Sequence, residues 1–500
     1  MPQTTAAVAA QQPYIFKSPP YDHQLACLKR SWSMEVFAIL FEMGAGKSKV
    51  IVDNAAKLHS LGRIDSLLLV APNGVHAKWL REDFPFSWPD WAEMKGAVWE
   101  AGNKKAMQEC EDLLKPGSAL RVCCMNVEGF SHKSGLEFAK KFLRATDCMM
   151  VVDESSRIKN PDAIRTKNLC KLGELAKYRR ILTGTPISNS PFDYYAQFMF
   201  LDPSIFGQSY YAFKAEYAEI LDKNDPKVQG IMRKTGSKFA PMLVKTDANG
   251  KAVYKNLDKL KAIIAPYSMR VTKEECLTLP EKIYQKRYFQ LEPKQWKMYE
   301  QLRTKMKTEL NDETLTVMHK MTLIMRLQQL ANGYLPTDDG GMVQLYDNPK
   351  DNPRIKALLD TVEDIDGQCI IWCRFVEEIK QIEAILGEDC VSYYGGKSTA
   401  EREQALREFT SGTRKFFIGN VATGGIGLNL TCASTVIYYS NTFSYEDRKQ
   451  SEDRAHRIGQ KRNVNYVDLE AENTVDAKII TALRNKGDLA DYMTDFKEWI

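Results

Sequence analysis

Residues 36–48 read VFAILFEMGAGKS, six apolar residues followed by a glycine-rich turn, a lysine and a serine. The run Val36–Leu40 predicts a buried strand, and Lys49–Leu58 predicts a helix. Glycines let backbone N–H groups face an anion, and the start of a helix adds partial positive charge. In such a loop Lys47 reaches the phosphates of a nucleotide and Ser48 ligates Mg²⁺. The alternative is a tight strand-to-helix turn with an exposed lysine, because phenylalanine replaces the first glycine of the full pattern.

Two adjacent carboxylates end another apolar run. Cys148–Val152 leads directly into Asp153 and Glu154. At the end of a buried strand, one carboxylate can hold Mg²⁺ while the other orients or deprotonates water. Asp153 is therefore the metal candidate and Glu154 the candidate base. A polar pair without a catalytic role is the alternative, but the phosphate-binding loop earlier in the same predicted lobe favours catalysis.

Short apolar runs alternate with longer helical stretches along the chain. The first series of predicted strands is Val36–Leu40, Ser66–Val70, Arg121–Met125, Cys148–Val152 and Arg180–Leu182. The second series is Gln368–Trp372, Phe416–Ile418, Val436–Tyr439 and Asn465–Asp468. Continuously apolar runs of this length are typical of strands buried on both faces of a parallel sheet. The pattern predicts an α/β fold with two doubly wound lobes.

Three segments depart from this alternation. Residues 206–261 are rich in Lys, Asp, Gly and Tyr, and residues 292–332 carry Met and Leu at helical spacing, which predicts helices that face a core. Residues 336–353 contain Gly and Pro clusters that indicate a loop or hairpin.

The composition is typical of a soluble globular protein. Of 500 residues, 44% are hydrophobic and 27% are charged, and the formal net charge is +5. These values exclude a disordered chain and a polycation. The apolar runs are shorter than the ~20 residues of a membrane helix, and residues 1–12 lack the basic start of a secretory signal. Eleven cysteines without a Cys-x-x-Cys pair, with six unclustered histidines, favour free thiols over zinc.

The order of the remaining motifs resembles the superfamily 2 helicase-like ATPases, and among them the Swi/Snf-type DNA translocases. The resemblance runs from about Tyr21 to about Leu483. Its segments are Tyr21–Gln24, Ile39–Ser48, Leu69–Pro72 with Trp79, Asp153–Asn160, Leu182–Asn189, Phe200–Pro203, Met269–Lys282, Ile370–Phe375, Tyr394–Gly396 with Arg402, Thr423–Leu430 and Gln450–Gln460. The last segment ends in Arg-Ile-Gly-Gln, which distinguishes the Swi/Snf branch from the DEAD-box and DEAH-box RNA helicases.

Phe41 at the start of the phosphate-binding loop is expected in this family, but the chain departs from the family pattern elsewhere. Ser156 stands where the family usually has a histidine that links the nucleotide site to Leu182–Asn189. Phe443–Tyr445 keeps an aromatic residue but lacks the usual Trp and the following Asn-Pro.

The resemblance implies two tandem RecA-like lobes of the P-loop NTPase type, each a parallel sheet flanked by helices. It implies a flexible tail at 1–13, an ATP-binding lobe at 14–276 with an insert at about 206–261, and a second lobe at 277–500 with a helical insert at about 285–350. The Lys-rich insert at 206–261 is either a solvated face or a protrusion that faces DNA, and the resemblance favours the protrusion.

The resemblance implies ATP and Mg²⁺ as cofactors. The catalytic candidates are Lys47, Asp153, Glu154, Arg454 and Arg457, and the metal ligands are Ser48 and Asp153. The nucleotide-binding candidates are Gln24, Gly44, Ala45, Gly46, Lys47, Ser48, Gly427 and Gln450. The amide of Gln24 can both donate to adenine and accept from it. Arg454 and Arg457 lie three residues apart on a predicted helix, where both face one cleft and stabilise charge on the γ-phosphate.

Nucleic-acid contacts are expected from groups that suit phosphates rather than base edges. The candidates are Lys78, Thr183, Thr185, Asn189, Arg374, Lys397 and Asn429, and for each of them a capping or turn role is the alternative. Trp79, Trp372 and Phe443 offer rings for base stacking, although core packing is favoured for the two tryptophans. Binding without sequence specificity and with strong salt dependence is expected.

These assignments predict a monomeric motor that hydrolyses ATP to move on double-stranded DNA. A strand-separating or fork-remodelling helicase is the first alternative, and an RNA-directed helicase and a nucleotide-gated nucleic-acid-binding module are weaker ones. Few residues lie outside the motifs, which favours a compact bacterial- or phage-like enzyme of the cytoplasm. The expected partners are double-stranded or forked DNA and proteins of replication, recombination or repair, and no membrane partner is expected.

Overall fold

The computed structural model describes residues 14–187, 190–247, 252–276, 279–310, 317–337, 341–424 and 427–485. The predicted tail at 1–13 and the candidate Asn189 lie outside the described residues. The chain divides into two units, Met1–Cys276 and Leu277–Ile500. Each unit is built around its own parallel sheet.

The strands of the first unit are β1 Val36–Phe41, β2 Ser66–Ala71, β3 Met94–Trp99, β4 Leu120–Asn126, β5 Cys148–Asp153, β6 Tyr178–Leu182 and β7 Ser268–Val271. They form one parallel sheet in the order β3-β4-β2-β5-β6-β1-β7. The five strands predicted from the sequence are confirmed. β3 and β7 were not predicted because they are edge strands, and β3 begins with partly exposed residues while β7 has only four residues.

The helices of the first unit are α1 Asp22–Ser31, α2 Lys47–Ser60, α3 His76–Lys78, α4 Phe84–Ser87, α5 Lys104–Asp112, α6 Lys133–Ala145, α7 Ile164–Gly173, α8 Asp193–Leu201, α9 Tyr210–Tyr217, α10 Pro226–Thr235, α11 Leu257–Ile264 and α12 Lys273–Cys276. α2 begins two residues before the predicted start because Gly46 occupies its N-cap position. Most of α2 is buried, including Lys49 and Asp53, which form an ion pair at 2.9 Å. The helix after the glycine-rich loop is therefore a core element.

The segment 206–261 is attached to the first unit through aromatic residues. Phe213 and Tyr217 of α9 are buried in the same apolar core as Phe198 of α8. An antiparallel bridge pairs Ala218 with Tyr254. These contacts fix the base of the predicted insert on the sheet-bearing part of the unit.

The strands of the second unit are β8 Lys282–Phe289, β9 Tyr334–Pro336, β10 Met342–Gln344, β11 Cys369–Cys373, β12 Cys390–Tyr393, β13 Phe416–Asn420, β14 Thr435–Tyr438 and β15 Val464–Ala471. Six of them form a parallel sheet in the order β12-β13-β11-β14-β15-β8. The four predicted strands of this series are confirmed. The unpredicted β8 and β12 are again the edges, and β8 mixes charged and tyrosine residues that are half-buried or exposed.

The helices of the second unit are α13 Pro293–Leu310, α14 Val317–Ala331, α15 Pro353–Glu363, α16 Val376–Leu386, α17 Thr399–Thr410, α18 Val421–Gly424, α19 Tyr445–Glu452 and α20 Val475–Arg484. α13 and α14 share an apolar cluster that includes Tyr299, Ile324 and Leu327, which confirms the predicted helical segment. β9 and β10 pair antiparallel, so the loop or hairpin predicted for residues 336–353 is a hairpin where these two strands meet.

Further sequence predictions concern two tryptophans, the cysteines and membrane-spanning helices. Trp79 and Trp372 are 1% and 0% exposed, so both pack in the core rather than offering a face for stacking. The eleven cysteines are all free thiols. In the parts of the chain that the structure describes, no helix has the length and apolar character needed to cross a membrane.

Candidate active site

The phosphate-binding loop lies between β1 and α2, and two glycines determine its shape. Gly44 and Gly46 have φ angles of 82° and 80°, which residues with a side chain rarely adopt. A Cβ atom on Gly46 would also overlap the amide of Gln24. Lys47 begins α2, and its Nζ donates to Phe41 O at 3.1 Å. The loop therefore leads into the start of a helix, where backbone N–H groups are free to bind an anion.

Gln24 of α1 packs against this loop and is 3% exposed. Its Nε2 donates to Gly46 O at 3.2 Å, and its Oε1 accepts from Tyr21 N at 2.9 Å. The neighbouring His23 places its Nε2 2.8 Å from Ala45 O. The structure thus brings the predicted adenine-reading segment against the phosphate-binding loop, while the contact of Gln24 with a base stays a prediction.

The acidic pair lies at the end of β5, and a single strand, β6, separates β5 from β1. Asp153 Oδ1 accepts from Glu154 N, and Asp153 Oδ2 accepts from Trp79 Nε1, both at 2.9 Å. Burial, followed by repulsion from Glu154, raises the pKa of Asp153 to about 7, and Lys47 opposes this rise. A buried carboxylate whose charge is disfavoured in this way is stabilised by a bound cation.

Glu154 has the left-handed backbone conformation, with φ 49° and ψ 56°. This conformation is uncommon for residues with a side chain and is concentrated at functional sites. Its Oε2 atom is buried and has no hydrogen-bond partner among the described residues. An acceptor in that position is costly to bury unless it receives a proton donor such as water. Glu154 therefore fits the role of a base that orients water.

The site is poor in protein ligands for a metal. The described residues contain no group of three or more His, Cys, Asp or Glu side chains that could hold a metal ion. Mg²⁺ commonly binds through one or two protein oxygens together with waters and substrate phosphates. Asp153 and the half-buried Ser48 therefore fit a magnesium ion that arrives with a nucleotide.

A buried glutamine joins the acidic pair to the turn Thr183–Pro186. Gln197 of α8 accepts from Ser155 Oγ at 2.6 Å, and its Nε2 donates to Pro186 O at 2.8 Å. Ser156, which replaces the histidine usual in the family, is buried. Ser155 and Gln197 thus form a hydrogen-bonded link between the residue after the acidic pair and this turn.

The predicted nucleic-acid residues of the first unit differ in exposure. Thr183 follows β6 and is fully buried, and its Oγ1 accepts from Thr185 N at 3.1 Å, which is a turn-stabilising role. Thr185 is half-buried. Lys78 of α3 forms an ion pair with Glu82 at 3.5 Å and is 21% exposed. Of these candidates, Lys78 and Thr185 reach the surface.

In the second unit the two candidate arginines contact one carbonyl group. α19 ends at Glu452, and Arg454 N bonds to Ser451 O in a turn, so the prediction that both arginines lie on a helix is wrong. Arg454 Nη1 and Arg457 Nη1 nevertheless donate to Leu428 O at 3.4 Å and 3.2 Å. The turn rather than helical spacing brings the two guanidinium groups together.

The other candidates of this unit lie near that turn or at the surface. Arg454 Nε donates to Gln450 O at 3.0 Å, and Gly427 precedes Leu428 with a φ of 79°. Asn429 is exposed and accepts from Thr431 Oγ1 at 3.2 Å. Lys397 forms an ion pair with Glu383 at 2.9 Å and is partly exposed.

Arg374 follows β11 and is half-buried against an aromatic ring. Its guanidinium carbon lies 3.4 Å from the centroid of Phe443, and its Nη1 donates to Gln328 Oε1 at 3.2 Å. Burial lowers the pKa of Arg374 to about 10. Phe443 is 7% exposed, so its ring covers Arg374.

Glu378 of α16 orders the same corner of the second unit. Its carboxylate accepts from Arg374 N and Phe375 N, both at 3.2 Å, and from Ser440 Oγ at the end of β14. Burial raises the pKa of Glu378 to about 7, while these donors act in the opposite direction. The side chain thus joins the loop after β11 to the neighbouring strand end.

Three side chains contact the candidate motifs without having been predicted to do so from the sequence. They are Trp79, through its indole N–H, Gln197 and Glu378. Trp79 lies 74 residues from Asp153 and Gln197 lies 42 residues from Ser155, so both contact their motifs from distant segments. Glu378 lies only four residues after Arg374 but also contacts Ser440, 62 residues away. The one available signal was polar residues at otherwise apolar helical positions, as for Gln197 in the run DYYAQFMFL.

Two family models match the chain. The model described as SNF2-related domain covers residues 23–334, and the model described as Helicase conserved C-terminal domain covers residues 353–459. The first match alone spans more than half of the chain.

Individual proteins are similar at lower identity. The chain is 25% identical over 461 residues to an uncharacterized ATP-dependent helicase of Mycoplasma genitalium, which covers 90% of the chain and 39% of that protein. It is 26% identical over 481 residues to the putative ATP-dependent helicase/translocase YwqA of Bacillus subtilis. This alignment covers 92% of the chain and 46% of that protein. The chain thus spans less than half the length of these relatives. The Sulfolobus solfataricus SWI2/SNF2 ATPase core in complex with dsDNA is 23% identical, with a TM-score of 0.40 over 98% of this chain and 94% of that one.

Proposed function

Since the chain belongs to the SNF2-related family of superfamily 2 helicase-like ATPases, we propose that it hydrolyses ATP with Mg²⁺ to move along double-stranded DNA. The observation that carries the proposal is the position of Lys47, Asp153 and Glu154 at the carboxyl ends of β1 and β5, with one strand between them. Proteins with parallel α/β sheets bind their ligands outside the carboxyl ends of the strands.

In the proposed mechanism Lys47 exchanges its bond to Phe41 O for the phosphates of ATP. Ser48 and Asp153 would hold Mg²⁺, which would supply positive charge next to the phosphate oxygens. Glu154 accepts a hydrogen bond from the attacking water through its unpaired Oε2 and takes up a proton. Gly44–Gly46 supply backbone N–H groups.

The proposal gives Arg454 and Arg457 the task of stabilising the charge that develops on the γ-phosphate. A guanidinium in this role contributes ~10³–10⁵ in rate. Gln450 and Gly427 support the same turn, and Gln24 reads the adenine. Through the hydrogen bonds of Ser155 and Gln197, a change in the position of the acidic pair would be transmitted to the Thr183–Pro186 turn.

Contacts with DNA are proposed to involve the phosphate backbone. Lys78 and Thr185 in the first unit, and Lys397 and Asn429 in the second, have side chains at or near the surface. Thr183, Arg374 and Asn189 complete the proposed set, with Thr183 and Arg374 acting through the loops they order. Backbone contacts carry no sequence information and weaken as salt rises, so sequence-independent binding is expected.

The test compares phosphate release by wild type, K47A, E154Q and K57A, with and without duplex DNA. Lys57 lies on the last turn of α2, so K57A removes the same charge from the same helix away from the loop. K47A and E154Q should abolish DNA-stimulated hydrolysis and K57A should retain it. Near-normal turnover by K47A and E154Q would overturn the proposal.

The polymer is tested by comparing duplex, forked and single-stranded DNA with RNA as activators, and by displacement of a third strand from blunt duplex. Activation by duplex DNA together with triplex displacement supports translocation. Unwinding of forked DNA without triplex displacement would show that the activity is strand separation and not translocation. Activation by RNA alone would overturn the choice of DNA as the polymer.

A further inference from the structure

Trp79 is adjacent in sequence to Lys78, a candidate nucleic-acid contact, and its side chain contacts Asp153, the candidate metal ligand. It follows Lys78, the last residue of α3, and begins a π-helical turn over Trp79–Asp83 that leads into α4. Such turns are rare and are frequent at functional sites. The ring is 1% exposed and lies 6.2 Å from the ring of Phe84, centroid to centroid.

The indole of Trp79 also makes a polar contact with the acidic pair. Its Nε1 donates to Asp153 Oδ2 at 2.9 Å, while Glu154 N donates to Asp153 Oδ1 at the same distance. The two donors fix the rotation of the carboxylate, because turning it would break both bonds. Each oxygen keeps a further lone pair with which to bind a cation.

We propose that Trp79 is a positioning residue that couples nucleic-acid binding at the Lys78 segment to the orientation of the Asp153 carboxylate. The proposal rests on the proposed function, because Lys78 and Asp153 take their roles from it. One peptide bond separates Lys78 from Trp79, so a backbone shift at Lys78 moves the indole. By reciprocity, a ligand at Asp153 changes the affinity of the Lys78 segment for nucleic acid by the same factor.

A purely structural role for Trp79 is the competing explanation, and Trp99 provides the control. Trp99 on β3 of the same unit is also 1% exposed, but its Nε1 has no hydrogen-bond partner among the described residues. Replacing either tryptophan by phenylalanine removes a similar buried volume. Only the replacement of Trp79 removes a donor from Asp153.

The experiment measures ATP hydrolysis by wild type, W79F and W99F across a magnesium titration, with and without saturating duplex DNA. W79F should raise the half-saturating Mg²⁺ concentration about tenfold and reduce the stimulation by DNA about tenfold or more, since a charged acceptor loses its donor. W99F should keep both quantities within about twofold of wild type. Equal behaviour of W79F and W99F would overturn the proposal.

A second measurement does not require W79F to fold. Protein labelled with ¹⁵N-tryptophan contains eight indole N–H groups, and the D153N variant identifies the resonance of Trp79. Adding duplex DNA without nucleotide should shift this resonance and leave that of Trp99 in place. An unshifted Trp79 resonance in protein that binds DNA would contradict the coupling. Absence of DNA-stimulated hydrolysis in wild type would instead remove the proposed function, which separates the two failures.

Discussion

Replacing Gln197 by alanine should uncouple the acidic pair from the Thr183–Pro186 turn. The Gln197 amide is fully buried and makes three hydrogen bonds, from Ser155 Oγ and to the carbonyls of Pro186 and Asp193. At about 1 kcal/mol net for each bond, the substitution should lower the free energy of unfolding by about 3 kcal/mol. For a unit of this size the melting temperature should fall by about 6–12 °C.

The kinetic effect separates coupling from stability. If Gln197 transmits the state of the acidic pair, Q197A should reduce the stimulation of ATP hydrolysis by duplex DNA about 5- to 100-fold. Basal hydrolysis should change less, because Lys47, Asp153 and Glu154 keep their own contacts. The assay is phosphate release at a temperature well below the melting temperature of the variant.

Gln295 in the second unit provides a matched control. Its Oε1 accepts from Tyr346 Oη at 2.7 Å, and its Nε2 donates to the carbonyls of Leu330 and Ala331 at 2.9 Å and 3.2 Å. Q295A therefore loses the same set of bonds, a hydroxyl donor and two carbonyl acceptors, away from the motifs. A loss of stimulation that is as large in Q295A as in Q197A would refute the reasoning.

Two further variants test the second unit. R457A should bind ATP with nearly unchanged affinity but hydrolyse it about 10³-fold more slowly, whereas R462A, which removes an exposed arginine, should hydrolyse ATP normally. Unchanged turnover by R457A would remove it from the catalytic set. Glu378 binds its proton more tightly when folded, with a pKa of about 7 against 4.5. Its contribution to stability is full below pH 4.5 and is lost as the pH rises through about 7, a change of about 3 kcal/mol. E378Q should flatten this part of the pH dependence of thermal unfolding, whereas E363Q, at an exposed position, should retain it. Equal pH profiles for the two variants would contradict the assignment of this pH dependence to Glu378.

The central strands of both sheets were predictable because burial on both faces demands a continuous apolar run. β5, with CMMVVD, shows this pattern in its own residues. The edge strands β3 and β8 do not, because one side of an edge strand has no neighbouring strand and tolerates polar residues. Their place in the sheet depends on a partner strand, β15 in the case of β8, which lies far along the chain.

The positions of the glycine-rich loop after β1 and of the acidic pair at the end of β5 were predictable, because each is specified by adjacent residues. Spacing along the sequence singled out the two candidate arginines, but the helix expected for them ends at Glu452. A turn and the carbonyl of Leu428 bring their side chains together instead. Local spacing identified these residues without giving the geometry that joins them.

By itself, the sequence determined two α/β units, the glycine-rich loop after β1 and the residues that carry the proposed chemistry. The reason is that apolar runs, glycines with positive φ and short motifs act through their immediate neighbours. Only the tertiary structure decided that Trp79 holds Asp153 and that Gln197 joins Ser155 to Pro186. Those contacts join residues 74 and 42 positions apart, and packing, rather than local pattern, selects which distant polar groups meet.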